Sequence, residues 1–132
     1  MSQANVDLIR RGWRAYESGD LSAVLALFSP DMVTYVAPPM PVAGTYHGPE
    51  GFLQVTIDWA EGFDDLVMTG EEFVDAGGQV VVRALHKSQG AESGAPVEAT
   101  IWYVFTVLVG KVVHVAIFND ERDALEAVGL SE

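Results

Sequence analysis

The sequence predicts an α+β fold in which helices come early, strands come late, and the helices cover one face of an antiparallel sheet. Three observations carry this. Apolar residues recur at helical spacing twice before residue 30 and again over 52–63. From residue 71 onward the pattern changes to β-branched and aromatic runs broken by tight-turn pairs such as Gly77-Gly78 and Val109-Gly110. Helices and strands are therefore segregated along the chain, whereas a parallel α/β sheet alternates them.

The first helix is marked by Val6, Ile9, Trp13 and Tyr16, which fall at i, i+3, i+7 and i+10 on one stripe. Ser18-Gly19-Asp20 ends it, with Gly19 suited to the left-handed position past a helix and Asp20 to the N-cap of the next. The second helix turns Leu21, Val24, Leu25 and Phe28 inward and stops at Pro30. Residues 32–36 read as a short strand. Residues 37–41 hold three prolines and read as an extended loop. Thr45-Tyr46-His47-Gly48-Pro49-Glu50-Gly51 leads into a third helix, with Pro49 in its first turn and Phe52, Val55, Trp59 and Phe63 as its apolar stripe.

The rest reads as a four-strand meander. Residues 71–75 and 79–87 flank the Ala76-Gly77-Gly78 turn. The small, polar stretch 88–95 reads as a mobile connection. A long strand over 97–107 turns at Val109-Gly110 into 111–118. Asn119 or Asp120 then caps a closing helix that runs to Val128 and ends at Gly129. Ser131 and Glu132 read as a frayed end. The predicted order is α-α-β-α-β-β-β-β-α, and with no repeat, low-complexity block or linker, residues 1–132 read as a single domain.

A chain of 132 residues buries about two-thirds of its unfolded surface and needs no staples. It has no cysteine, which excludes disulfides, thiol nucleophiles and cysteine metal sites and fits a reducing, cytoplasmic location. The first residues lack the basic and apolar regions of a signal peptide. The longest apolar stretch, 101–109, is too short for a membrane helix. The formal charge of −12 repels phosphate, which argues against nucleic acid and anionic membrane as partners; its plain use is solubility.

The strand over 101–107 is apolar on both faces. A strand wetted on one side would alternate with polar residues. With helices on one face only, the other face calls for a cover, and a second copy of the sheet is the simplest one. The reading is a homodimer through the sheet, with Trp102 at the contact.

Six segments, in this order and spacing, carry a resemblance. They are Glu17-Ser18-Gly19-Asp20-Leu21, Phe28-Ser29-Pro30-Asp31, Tyr46-His47-Gly48-Pro49-Glu50-Gly51, Asp75-Ala76-Gly77-Gly78-Gln79-Val80-Val81-Val82, Gly110-Lys111-Val112-Val113 and Ala124-Leu125-Glu126-Ala127-Val128-Gly129-Leu130. Together they are similar to the SnoaL-like branch of the nuclear transport factor 2-like superfamily, in particular to short stand-alone actinobacterial members. The resemblance implies a cone (a cystatin-like roll) in which a strongly curved antiparallel sheet wraps helices and leaves a pocket at the open end. It also implies back-to-back dimers. Steroid isomerases, polyketide cyclases, epoxide hydrolases, dehydratases and non-enzymatic binders share this fold, so the fold leaves the activity open.

The chemistry has to be read residue by residue. Aligned on the shared Gly-Asp and Gly-Lys landmarks, the steroid isomerase pattern places Gly12, Val36 and Tyr103 where that mechanism uses a tyrosine, an aspartate base and a protonated aspartate. Both carboxylates are missing, and with them that route of proton transfer. The epoxide hydrolase pattern needs an Asp-Arg-Asp set; Arg83 is present, but no carboxylate alternates in phase with it on a neighbouring strand. The cyclase pattern uses an acid near the last strand, where Asp120 stands, although a helix N-cap explains Asp120 equally directly.

The resemblance points Tyr103 into the cavity with Ile101 and Phe105. There its hydroxyl either meets a ligand or is paired within the core. Trp13, Tyr16, Trp59 and Phe63 line the same space or form plain core, and Val36, Ile117 and Asn119 join the lining. His47 bonds backbone before the third helix. His86 is the best available general base if it faces inward. His114 alternates out of phase with the inward set Val113, Val115, Ile117 and Asn119, so a surface or interface role is assigned to it. No metal or cofactor motif occurs.

Three functions remain. The first is binding of a compact apolar molecule oriented by Tyr103, Tyr16 and Asn119. The second is a cyclase, isomerase or dehydratase acting on a polyketide-like or steroid-like carbonyl compound, with Tyr103 polarising an oxygen and His86 or Asp120 moving a proton. The third is a dimeric interaction domain. A carboxylate or imidazole within reach of the Tyr103 hydroxyl would favour the second over the first.

Overall fold

A computed structural model of the chain describes residues 2–129. The expectation for Ser131 and Glu132 lies outside the described residues. Helices α1 (Ser2–Glu17) and α2 (Leu21–Leu25) are followed by strands β1 (Phe28–Val36) and β2 (Gly44–His47). Helix α3 (Gly48–Ala60) comes next, then strands β3 (Phe63–Asp75), β4 (Gln79–Gly90), β5 (Pro96–Leu108) and β6 (Lys111–Phe118), and helix α4 (Glu121–Ala127). The strands form one six-stranded sheet in the order β2-β1-β6-β5-β4-β3. Among the described residues no helix is long and apolar enough to cross a membrane.

Five boundaries differ from the sequence reading, each for a local reason. Phe28 opens β1 instead of closing α2, since it pairs with Val112 and sets its ring against Phe52 at 4.9 Å. Pro30, read as a helix stop, lies in β1 where the ladder to β6 lapses between Phe28 and Val33; a proline without an N–H fits such a gap. Gly44–His47 is a strand, paired with Val33–Val36, where a loop was expected. Phe63 opens β3 because the helix ends at Ala60 and Gly62, so its i+4 spacing from Trp59 is not helical. Ser88–Gly90 continues β4, and the hairpin closes tightly at Gly94, whose φ is +70°.

The sheet is antiparallel except where β1 lies parallel to β6. Two register shifts in β3, at Asp64/Val67 and Gly70/Glu72, bend the sheet around α1 and α3. The concave face carries the main core: Met32, Val36, Val80, Val82, Val112 and Val115 are all essentially inaccessible. Gly70 lets α1 approach, since a Cβ there would stand 2.8 Å from Phe73 and 3.0 Å from the Trp13 ring. A further shift at Thr106/Val107 changes the alternation of β6, so Val112 faces inward in place of Val113.

The convex face is not bare. Helix α4 packs across β5 and β6, and Ala124 joins Val81, Val104, Ala116 and Phe118 in a second buried cluster with Trp102 at its margin. The premise that helices cover one face only is therefore corrected. Val104, counted as needing a second copy, is 1 % exposed within the chain.

Candidate functional site

The cone encloses a cavity of about 90 Å³. Two elements supply its polar chemistry. Helix α1 presents Trp13 and Tyr16 from successive turns of one face, and β5 presents Ile101, Tyr103 and Phe105 from alternate positions. Trp13 meets Tyr103 edge-on at 5.0 Å and Tyr16 at 5.8 Å, so the two phenols share one indole as a neighbour. Val36, Trp59 and Ile117 line it as expected, and Gly12 joins them.

Nearly every polar group on this lining is already used. The Trp13 indole N–H donates to the Met68 carbonyl at 3.4 Å. Thr56 Oγ1 donates to the Phe52 carbonyl at 3.0 Å. The Trp59 indole N–H donates to His86 Nδ1 at 3.2 Å. The exceptions are Tyr16 and Tyr103. Among the described residues no hydrogen bond joins either phenol to the protein, and since no buried side-chain oxygen is left without a partner, both hydroxyls border open space; the Tyr46 hydroxyl instead donates to the Val42 carbonyl at 2.8 Å. Burial pushes both phenols above their ordinary range, Tyr103 the further because it is the more deeply buried, with Tyr16 beside it adding to the rise. Both are therefore neutral O–H donors at any physiological pH.

The other candidates fall elsewhere. His86 does face the concave side, 1 % exposed, but behind Trp59 and outside the cavity lining. Its Nδ1 accepts from Trp59, which fixes the proton of the neutral ring on Nε2, 2.7 Å from Ser88 Oγ. The Phe63 ring packs edge-on against it at 4.6 Å. Burial holds this imidazole below its ordinary value. Phe63 thus contacts His86 and Trp59 instead of the cavity.

Asp120 caps α4, accepting from the Arg122 and Asp123 amides at 2.8 and 3.4 Å. Asn119 is exposed and lines an outer cleft with Trp102, away from the two phenols. His47 occupies the N-cap of α3 but makes no side-chain capping bond, contrary to its expected role. Arg83 does have carboxylates in phase: the shift at Gly70/Glu72 brings Glu71 and Glu72 to it at 3.1 and 3.3 Å, on the strand face that points away from the cavity. Among the described residues no three His, Asp or Glu gather where a metal could be held.

The sequence reading missed Leu66, Met68 and Met40 in the lining. Leu66 and Met68 alternate as strand residues should, but Asp64-Asp65 just before them hid the strand. Met40 sits in the proline loop, where no periodicity exists to read.

A six-stranded roll around an apolar hollow defines the nuclear transport factor 2-like class of α+β folds. Residues 9–115 match the family model described as SnoaL-like domain, and the chain belongs to that family. An uncharacterized protein of Mycobacterium tuberculosis is 25% identical over 126 residues, 94% of this chain and 95% of its own. Among solved structures, a nuclear transport factor 2-like protein of Burkholderia thailandensis is 23% identical with a TM-score of 0.80, over 92% of this chain and 95% of that one. TerC, co-crystallized with polyporic acid, is 18% identical with a TM-score of 0.76, over 94% and 97%.

Proposed function

We propose that this chain is a small-molecule binding protein whose cavity takes an uncharged, apolar ligand bearing an oxygen acceptor. One observation carries the reading: Tyr16 and Tyr103 aim two unpartnered O–H donors into a space whose other polar groups are spent on the protein itself. Pockets that bind small molecules share this composition, mostly apolar with a few placed donors. The crystal form of TerC with polyporic acid is consistent with a ligand in a fold of this kind.

Turnover by a cyclase, isomerase or dehydratase route finds less support. Among the described residues no carboxylate or imidazole lines the cavity, and both ring nitrogens of His86 are engaged. Neutral phenols held above their ordinary range can donate a hydrogen bond but are poor bases.

Thermal shift with acetophenone, repeated on Tyr103→Phe, tests the reading. A ligand that binds the native state raises the melting temperature with concentration. The wild type should respond and Tyr103→Phe should respond less; equal responses would remove Tyr103 from recognition.

A homodimer through the convex face belongs to the same proposal. Helix α4 covers only part of that face, and Tyr35 stays 37 % exposed beside Phe118. Light scattering should return twice the 14.2 kDa chain mass; the single-chain mass at micromolar concentration would overturn it. A cytoplasmic location is proposed on the cysteine-free composition and is checked by cell fractionation.

A further inference from the structure

The cavity is small for the role just proposed. Ligand sites span roughly 300–1,000 Å³, against about 90 Å³ here. A second space of about 410 Å³ opens beside it, between the proline loop and the start of the Ile101–Trp102 segment. Three residues line both: Met40, Trp59 and Ile101. They are the wall between an inner hollow and an outer cleft.

The three are not equally fixed. Ile101 sits in the middle of β5, between β4 and β6. Met40 is an unbranched side chain on a loop. Trp59 lies in the last turn of α3, and one polar contact, its hydrogen bond to His86, sets its indole. The Phe63 ring packs against both, but only His86 has a second hydrogen bond, to Ser88, so it is the anchored partner and Trp59 the movable one. A single hydrogen bond between neutral groups shifts an equilibrium by roughly fivefold to tenfold. That is enough to hold the wall closed in the free protein and little enough for a ligand to overcome.

We propose that the hollow and the cleft are two compartments of one elongated site, with Trp59 as the door and His86 as its latch. The inference rests on the binding function proposed above and names the ligand class. It is an uncharged molecule with an oxygen-bearing head for Tyr16 and Tyr103 and an apolar tail that passes Trp59 to reach Trp102 and Asn119. Among the described residues no charged side chain lines either compartment, and the net charge of −12 disfavours anions. Trp59 and His86 are positioning residues in this scheme: they set the length of ligand admitted, and neither supplies the recognition of the head.

A series of phenyl alkyl ketones, from acetophenone upward in chain length, tests this by calorimetric titration. The indole N–H resonance of Trp59, assigned by its loss in Trp59→Phe, is followed in parallel. Affinity should rise by about fourfold per methylene past the length that fills the hollow, and the Trp59 resonance should move only for the longer members. His86→Leu, which lacks the acceptor, should bind the longer members severalfold more tightly and leave acetophenone unchanged; Trp59→Phe, which lacks the N–H but also alters the lining, should raise the preference for longer members over acetophenone severalfold. Having two latch variants protects the test against misfolding of either. Affinity that peaks at a short member and then falls, with the Trp59 resonance still, would overturn the two-compartment site while leaving Tyr103-dependent binding of acetophenone intact. Failure of every member to bind would overturn both.

Discussion

Trp59 and His86, one near the end of α3 and the other on β4, are joined at 3.2 Å from indole N–H to Nδ1. This bond decides the protonation state of the ring. A second proton would have to go on Nδ1, where it would face another N–H. Burial already holds the imidazole below its ordinary value of 6.5. The carboxylates near it in sequence do not share its face: β4 and β5 place Ala84, Ser88, Ala99 and Ile101 around it, and β3 places Met68 opposite.

Stability should therefore fall on mild acidification, with the sign set by the unfolded chain. Between the depressed folded value and 6.5, unfolded His86 binds a proton that folded His86 does not. Stability is unaffected by this group above about 6.5, falls as pH drops below it, and levels once the folded value is passed. Urea unfolding from pH 7.5 to 5.5 should show a steeper loss in the wild type than in His86→Gln. Parallel curves would refute the assignment.

The two kinds of tyrosine should respond oppositely to loss of the hydroxyl. Tyr46→Phe removes a bond to the Val42 carbonyl and should cost about 1 kcal/mol. Tyr103→Phe removes a donor without a protein partner and should leave ligand-free stability unchanged or slightly raised. A destabilisation by Tyr103→Phe as large as that of Tyr46→Phe would show that its hydroxyl is bonded within the fold.

Gly70→Ala should be costly although the change is one methyl. The added Cβ meets Phe73 at 2.8 Å and the Trp13 ring at 3.0 Å. Overpacking of this sort costs about 1–3 kcal/mol. Because Trp13 packs against both phenols, the same variant should also change the near-ultraviolet dichroism of the aromatic cluster. An unaltered spectrum with unaltered stability would mean that α1 can withdraw freely.

Val109→Asn should stabilise the protein. Val109 is 94 % exposed at the β5–β6 turn with φ +51°, followed by Gly110 at φ +74°. A β-branched residue is strained there by roughly 1–2 kcal/mol, and Asn-Gly is the preferred pair for such a hairpin. Recovery of about 1 kcal/mol in urea unfolding is expected; no gain would place the strain elsewhere.

Much of the fold was legible because it rests on local patterning. The stripe of Val6, Ile9, Trp13 and Tyr16 gave α1, whereas β5 is apolar on both faces and its inward set of Ile101, Tyr103 and Phe105 came from the family resemblance. What stayed hidden depends on breaks in the pattern. The shift at Gly70/Glu72 moved Glu71 and Glu72 onto Arg83, and the shift at Thr106/Val107 exchanged Val113 for Val112. No count of residues reveals a bulge in advance. The site was harder still. That Tyr103 has no partner while His86 has two is a fact about directions, and a sequence holds only the order of residues.

The parallel ladder between β1 and β6 has a consequence for synthesis. The first strand of the sheet must wait for the last before it has a neighbour on that side, and until then only the short β2 can pair with it. Contacts so distant in sequence form slowly. During synthesis the trough of valines and aromatics therefore stays open until β6 has emerged, and the hollow comes into being only then.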